Sequence, residues 1–128
     1  MYSDYVEGNK HYGFDQAPLT EAEKTARKLL EPHKDRCVWL KKMSADAAGD
    51  ISEKLDFVYI DGNHQEEYVW NDIVNFMPKM KQGGVIGGHD YYNGFQRDHD
   101  GVVTAVSRYV TENSLLLQVE LPDWWIQL

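Results

Sequence analysis

The sequence predicts an α/β fold with a mostly parallel sheet closed by an antiparallel terminal strand. Three observations carry that expectation. Leu55–Asp61 (LDFVYID) is an apolar run ending in an acid, and Gly83–Gly88 (GGVIGG) is a second short run ending in His89-Asp90. Between them Val69, Ile73, Phe76, Met77 and Met80 recur at helical spacing. Strand, helix, strand in this order implies a right-handed crossover, which makes the two strands parallel and sets their carboxyl ends side by side. Ligands of open α/β sheets bind in the crevice outside those ends. The third observation lies downstream: Leu115–Glu120 and Trp124–Leu128 read as a closing antiparallel pair around Leu121-Pro122-Asp123.

The remaining elements follow in chain order. Residues 1–18 have little periodicity and read as a loop. Thr20 and Glu23 fit a capping box, with Ala22, Ala26, Leu29 and Leu30 on one face and Pro32 at the stop. Cys37–Leu40 reads as a short strand, and Met43–Asp46 turns into a brief helix interrupted near Gly49. Pro78 and Gly83-Gly84 end the central helix. Tyr91–Asp100 reads as a polar, aromatic loop over the strand ends, in which Tyr91, Tyr92 and Phe95 line a pocket or form a merely sticky surface. Val102, Val103, Val106, Tyr109 and Val110 mark a last helix.

With 128 residues the chain is expected to form one domain, spanning residues 1–128. Lys+Arg 13 against Asp+Glu 21 gives a net charge of -8, which argues against a nucleic-acid or anionic-membrane partner. The lone Cys37 rules out an internal disulfide framework and suits a reducing compartment. No apolar run approaches membrane-spanning length and residues 1–9 are no signal peptide, so a cytoplasmic, soluble protein is expected.

The candidate chemistry sits at the two strand ends. Asp61 can hold a metal, a cation or a polar ligand group, or be a solvated turn residue before Gly62. His64 can act as a general base near neutral pH, or simply cap the helix surface. His89 and Asp90 form an oxygen and nitrogen ligand pair suited to a divalent ion. Gly87 and Gly88 inside a strand suggest that something approaches the backbone closely. His11, His33 and His99 read as surface residues. Of Trp124 and Trp125, one is expected buried and one at the sheet edge. There is no nucleophile-elbow serine, phosphate-binding Gly-Lys-Ser/Thr loop or cysteine pair.

Asp56–His64 (DFVYIDGNH), a helix carrying Asp72, and Lys81–Tyr91 (KQGGVIGGHDY) together resemble the carboxyl-terminal half of class I S-adenosylmethionine-dependent methyltransferases. The similarity is greatest to small-molecule O-methyltransferases of the macrolide-sugar type. Gly101-Val102-Val103, Ala105-Val106 and Asp123–Ile126 extend it to about three quarters of the chain. The resemblance implies an incomplete Rossmann-like sheet holding the family's strands three to seven. It implies Ser44 and Ala45 against the adenine of the cofactor, S-adenosylmethionine, with Asp61 also near the reacting centre. It implies Mg2+ or a similar divalent cation on Asp61, Asp90 and His89, and His64 with Asp61 as the catalytic pair acting on a hydroxyl of a small-molecule acceptor. The expected activity is methyl transfer.

The family's first two strands, including the glycine-rich cofactor loop, have no counterpart in the sequence, so a truncated domain is expected, possessing only part of the cofactor site. In the full fold the first strand lies beside Leu55–Asp61. Its absence leaves that strand with a bare edge; either the Cys37 strand moves beside it or a second copy covers it, and a homodimer or larger assembly is expected. Two other functions compete with methyl transfer: a catalytically silent oligomerising domain, and a small metal-binding protein using Asp61, His89 and Asp90.

Overall fold

The computed structural model describes residues 16–92 and 100–128; the expectations for residues 1–15 and 93–99, including His11, Phe95 and His99, lie outside them. The chain divides into two compact units, residues 1–43 and residues 44–128.

In the first unit, helix α1 (Gln16–Leu30) runs into a 3-10 turn (Glu31–Arg36) that carries Pro32 at its start. The helix begins four residues before Thr20, so the expected capping box lies inside it. Pro18 is tolerated because first-turn N–H groups have no intrahelical acceptor. Glu23 is held instead by Lys41 at 2.7 Å and Arg27 at 2.9 Å. Those hydrogen bonds, Lys41's first, keep its carboxyl below the usual range. The strand expected at Cys37–Leu40 is not formed. Cys37 has extended backbone (φ -113, ψ 126), but the segment joins no sheet among the described residues, and Val38 is 84% exposed. An apolar run can supply extension; a strand also needs a ladder partner.

The second unit contains helix α2 (Ser44–Asp50), strand β1 (Leu55–Ile60), helix α3 (Glu66–Phe76), a 3-10 turn (Met77–Lys79), strand β2 (Met80–Gly88), helix α4 (Asp100–Glu112), and strands β3 (Leu117–Glu120) and β4 (Asp123–Gln127). The sheet runs β1-β2-β4-β3. It is the expected α/β, partly Rossmann-like sheet in mixed form: β1 and β2 are parallel, while β4 pairs antiparallel with both β2 and β3. Strand β2 starts three residues before the predicted Gly83. Between the Leu55↔Met80 and Phe57↔Val85 pairs the ladder shifts register, and Gly83 takes φ +80 there. Leu55 packs against the core together with Val58 and Ile60.

One face of the sheet carries the core. Ile86, Trp124 and Ile126 meet Val69 and Ile73 of α3 and Val102, Ala105, Val106 and Val110 of α4, and all of these are buried. Gly101 sets how closely α4 begins: a Cβ there would run into the His64 carbonyl and the Glu66 amide. The glycines of β2 have the same kind of explanation. A Cβ on Gly87 would meet the Trp124 carbonyl at 2.5 Å, and one on Gly88 would strike the Ile60 carbonyl and the Trp124 ring. The close approach that the sequence suggested is made by neighbouring strands of the same chain.

Candidate functional site

The parallel pairing of β1 and β2 decides where the chemistry gathers. Ile60 pairs with Gly88, so the residues that follow each strand leave the sheet side by side. The His89 amide donates to the Ile60 carbonyl at 3.1 Å, which carries the ladder one step beyond the strands. The chain from β1 then turns through buried Gly62, and the Gln65 amide donates to Asn63 Oδ1 at 2.9 Å. This local turn orients His64 just ahead of α3.

Asp90 is fixed more tightly. Its φ of +64° places it in the left-handed region, at a cost of about 1 kcal/mol that aspartate tolerates better than most residues. The neighbouring amides hold it there: Tyr91 N–H donates to the Pro122 carbonyl at 2.9 Å, and Tyr92 N–H to the Asp90 carbonyl at 3.0 Å. Tyr91 is further anchored by a 2.9 Å hydrogen bond between its hydroxyl and Ser107 Oγ.

The outcome is a compact cluster. His64 Nε2 lies 2.7 Å from Asp90 Oδ2, with Asp90 buried and His64 partly exposed. One ligand-capable atom from each of Asp61, His64 and Asp90 lies within 4.8 Å of the others. An ionised carboxylate only accepts, so the ring nitrogen facing it carries the proton and the imidazole is held with Nδ1 in the accepting form. His89 lies outside this trio: its Nδ1 is 3.1 Å from Asp90 Oδ1 and its ring meets Tyr92 edge-on. Asp61, Asn63, His64, His89 and Asp90 line a small hollow, partly open to solvent, with Trp124 in its wall.

Ser44 and Ala45 stand apart from the hollow. They open α2, where Ala45 is exposed and the Ser44 hydroxyl bonds Asp72 on α3. Burial pushes the Asp72 carboxyl up, and the Ser44 hydrogen bond opposes that only in part. Two features near the strand ends, one in the hollow and one outside it, had no distinct signal in the sequence. Trp124 enters the hollow because it lies opposite Gly88 in the β2–β4 register. Tyr59 donates its hydroxyl to Asp123 Oδ1 at 2.6 Å, which pushes the phenol up to about 12. Both depend on an antiparallel register that no local pattern encodes.

The donor set is chemically able to hold a divalent ion. Two carboxylates and an imidazole supply oxygen and nitrogen ligands, and ligands at roughly 2.1 Å from one ion lie about 3 to 4 Å apart. The three atoms lie within 4.8 Å of one another, so they would draw in slightly to reach that spacing.

Residues 3–91 match the family described as a methyltransferase domain. No curated protein matches the chain in sequence. Among solved structures, the O-methyltransferase NovP is similar over 82% of this chain and 44% of its own length, with a TM-score of 0.60 and 17% identity. A protein from Clostridium thermocellum assigned as an rRNA methylase is similar over 80% of this chain and 67% of its own, with a TM-score of 0.57 and 16% identity. These two likenesses are likenesses of fold. This chain spans less than half the length of NovP. No helix among the described residues is long and apolar enough to cross a membrane.

Proposed function

Because the chain belongs to the methyltransferase domain family, of the class I S-adenosylmethionine-dependent kind, we propose that it carries the acceptor half of an O-methyl-transfer site. The observation that supports this most is the convergence of Asp61, His64 and Asp90 at the ends of β1 and β2. The acceptor we propose is a small molecule with a hydroxyl group, a reading favoured by the fold likeness to an O-methyltransferase. In this reading Ser44 and Ala45 lie on the cofactor side, with Asp61 between the cofactor and the acceptor.

The proposed chemistry follows from the residues. Asp90 holds the imidazole of His64 in one orientation and stabilises it once it is protonated. His64 takes the proton of the acceptor hydroxyl, and the freed oxygen becomes the nucleophile. The left-handed Asp90 backbone and the Asn63 turn fix both groups before the acceptor arrives, which reduces the ordering cost of the encounter. A divalent cation on Asp61 and Asp90, with His89 or His64 adjoining, would when bound make the hydroxyl more acidic.

The test is calorimetric. Mg2+ is titrated into the wild-type chain and into Asp90→Ala, and S-adenosylhomocysteine is titrated separately. We expect Mg2+ affinity to fall by at least about tenfold in the variant, as loss of a supporting ligand does elsewhere. Unchanged affinity sinks the metal assignment. Absence of S-adenosylhomocysteine binding sinks cofactor capture by this chain alone.

A second reading concerns the partner. Strand β1 is the edge of the described sheet, and Phe57 and Tyr59 on it are 61% and 47% exposed. We propose that a second copy pairs along this edge, since an open ladder next to exposed aromatic rings is a template for strand addition.

A further inference from the structure

We propose that the indole N–H of Trp124 is a hydrogen-bond donor of this site, kept for an oxygen atom in the hollow: a water in the resting chain, and the acceptor's hydroxyl oxygen in its place. The second half of that statement rests on the O-methyl-transfer reading; the first does not.

Trp124 is 1% exposed, and its backbone is paired on both sides, to Gly88 of β2 and to Val119 of β3. The ring is therefore a fixed part of the wall. Its Nε1 is buried and, among the described residues, is the one buried side-chain nitrogen or oxygen with no hydrogen-bond partner. Buried donors in folded chains are nearly always partnered, by protein or by ordered water, so a fixed orphan calls for a partner of its own. The place of the orphan narrows the choice. The nitrogen edge of the ring lies over Gly88, where a Cβ would meet Nε1 at 3.0 Å and Cε2 at 3.1 Å. Gly88 immediately precedes His89 and Asp90, and Trp124 lines the hollow together with both. The missing side chain at Gly88 leaves the donor on the side of the strand ends.

The chemistry of the other walls selects the guest. Asp61 and Asp90 offer only acceptors when ionised, whereas the Trp124 indole offers only a donor. A guest that satisfies both must donate and accept through one small group. A hydroxyl or a water does so. An ammonium group only donates and leaves the indole unpaired, so this donor favours a hydroxyl over a protonated amine. A buried polar group left unpaired is what makes such discrimination strong.

The test uses the whole chain, labelled with 15N and free of metal. The Trp124 indole resonance is identified by its loss in Trp124→Phe. If that variant does not fold, it is identified by elimination with Trp39→Phe, Trp70→Phe and Trp125→Phe. We expect a direct magnetisation transfer from a bound water to this indole proton, and a crystallographic oxygen at about 2.9 Å from Nε1. Ethylene glycol should displace that water and shift the Trp124 resonance, whereas ethylammonium, which is fully protonated at neutral pH, should not. A dry Nε1, or one bonded to a protein carbonyl or carboxylate, overturns the proposal. Equal shifts with the diol and the ammonium ion, or none with either, overturn the selectivity. Loss of Mg2+ binding would undo the metal reading and leave each of these outcomes readable.

Discussion

The two faces of the sheet are built from the same strands and differ completely in what covers them. On one face Ile86, Trp124 and Ile126 are sealed beneath α3 and α4. On the other, Phe57 and Tyr59 stack at a centroid distance of 6.3 Å and remain largely open. Strand alternation explains the assignment, because successive side chains point to opposite faces. It does not explain the difference in cover. A sheet with one closed face has a core on that side only, and among the described residues the aromatic side stays open. The site sits at the end of the two strands that share these faces, so it inherits one rigid wall from the core.

Truncations on the two faces should separate them most widely. Ile86→Ala removes a fully buried side chain and should cost about 3 kcal/mol in denaturant unfolding. Phe57→Ser should cost less than about 0.5 kcal/mol in an isolated chain. If a second copy pairs along β1, the same variant should shift sedimentation toward monomer. Equal costs on both faces would show that the open face is covered in solution.

A smaller effect is expected at Asp72, under the covered face. Its carboxyl is raised by burial above the ordinary 3.8, so the folded state holds its proton to higher pH than the unfolded state does. Stability from this group is complete below that value and is lost as pH rises through the folded-state pKa. Asp72→Asn should therefore have the higher Tm at pH 7, and the gap should close toward pH 4. A gap that widens on acidification would reverse the assignment.

The smallest effect belongs to the open face. Tyr59 should titrate at about 12 by phenolate absorbance, and Asp123→Asn should bring it back toward 10.0. Stability from this hydrogen bond is present below 10.0 and is lost as pH rises through about 12. An unchanged midpoint in the variant would mean that Asp123 is not the cause.

The sequence by itself determined the strand–helix–strand unit and its two acid-bearing ends. Apolar runs and helical spacing are local signals, and the right-handed crossover converts them into a parallel pair. Asp61, His64 and Asp90 were legible for that reason. Tertiary structure alone decided the rest. The Cys37–Leu40 run has strand composition and no ladder partner among the described residues. His89 and Asp90 are adjacent in sequence, yet only Asp90 is turned, by its left-handed backbone, into the cluster with Asp61 and His64. Trp124 belongs to the hollow because antiparallel register sets it opposite Gly88, 36 positions away in the chain. Register is fixed by how faces bury against helices, a property of the assembled sheet that no single strand carries.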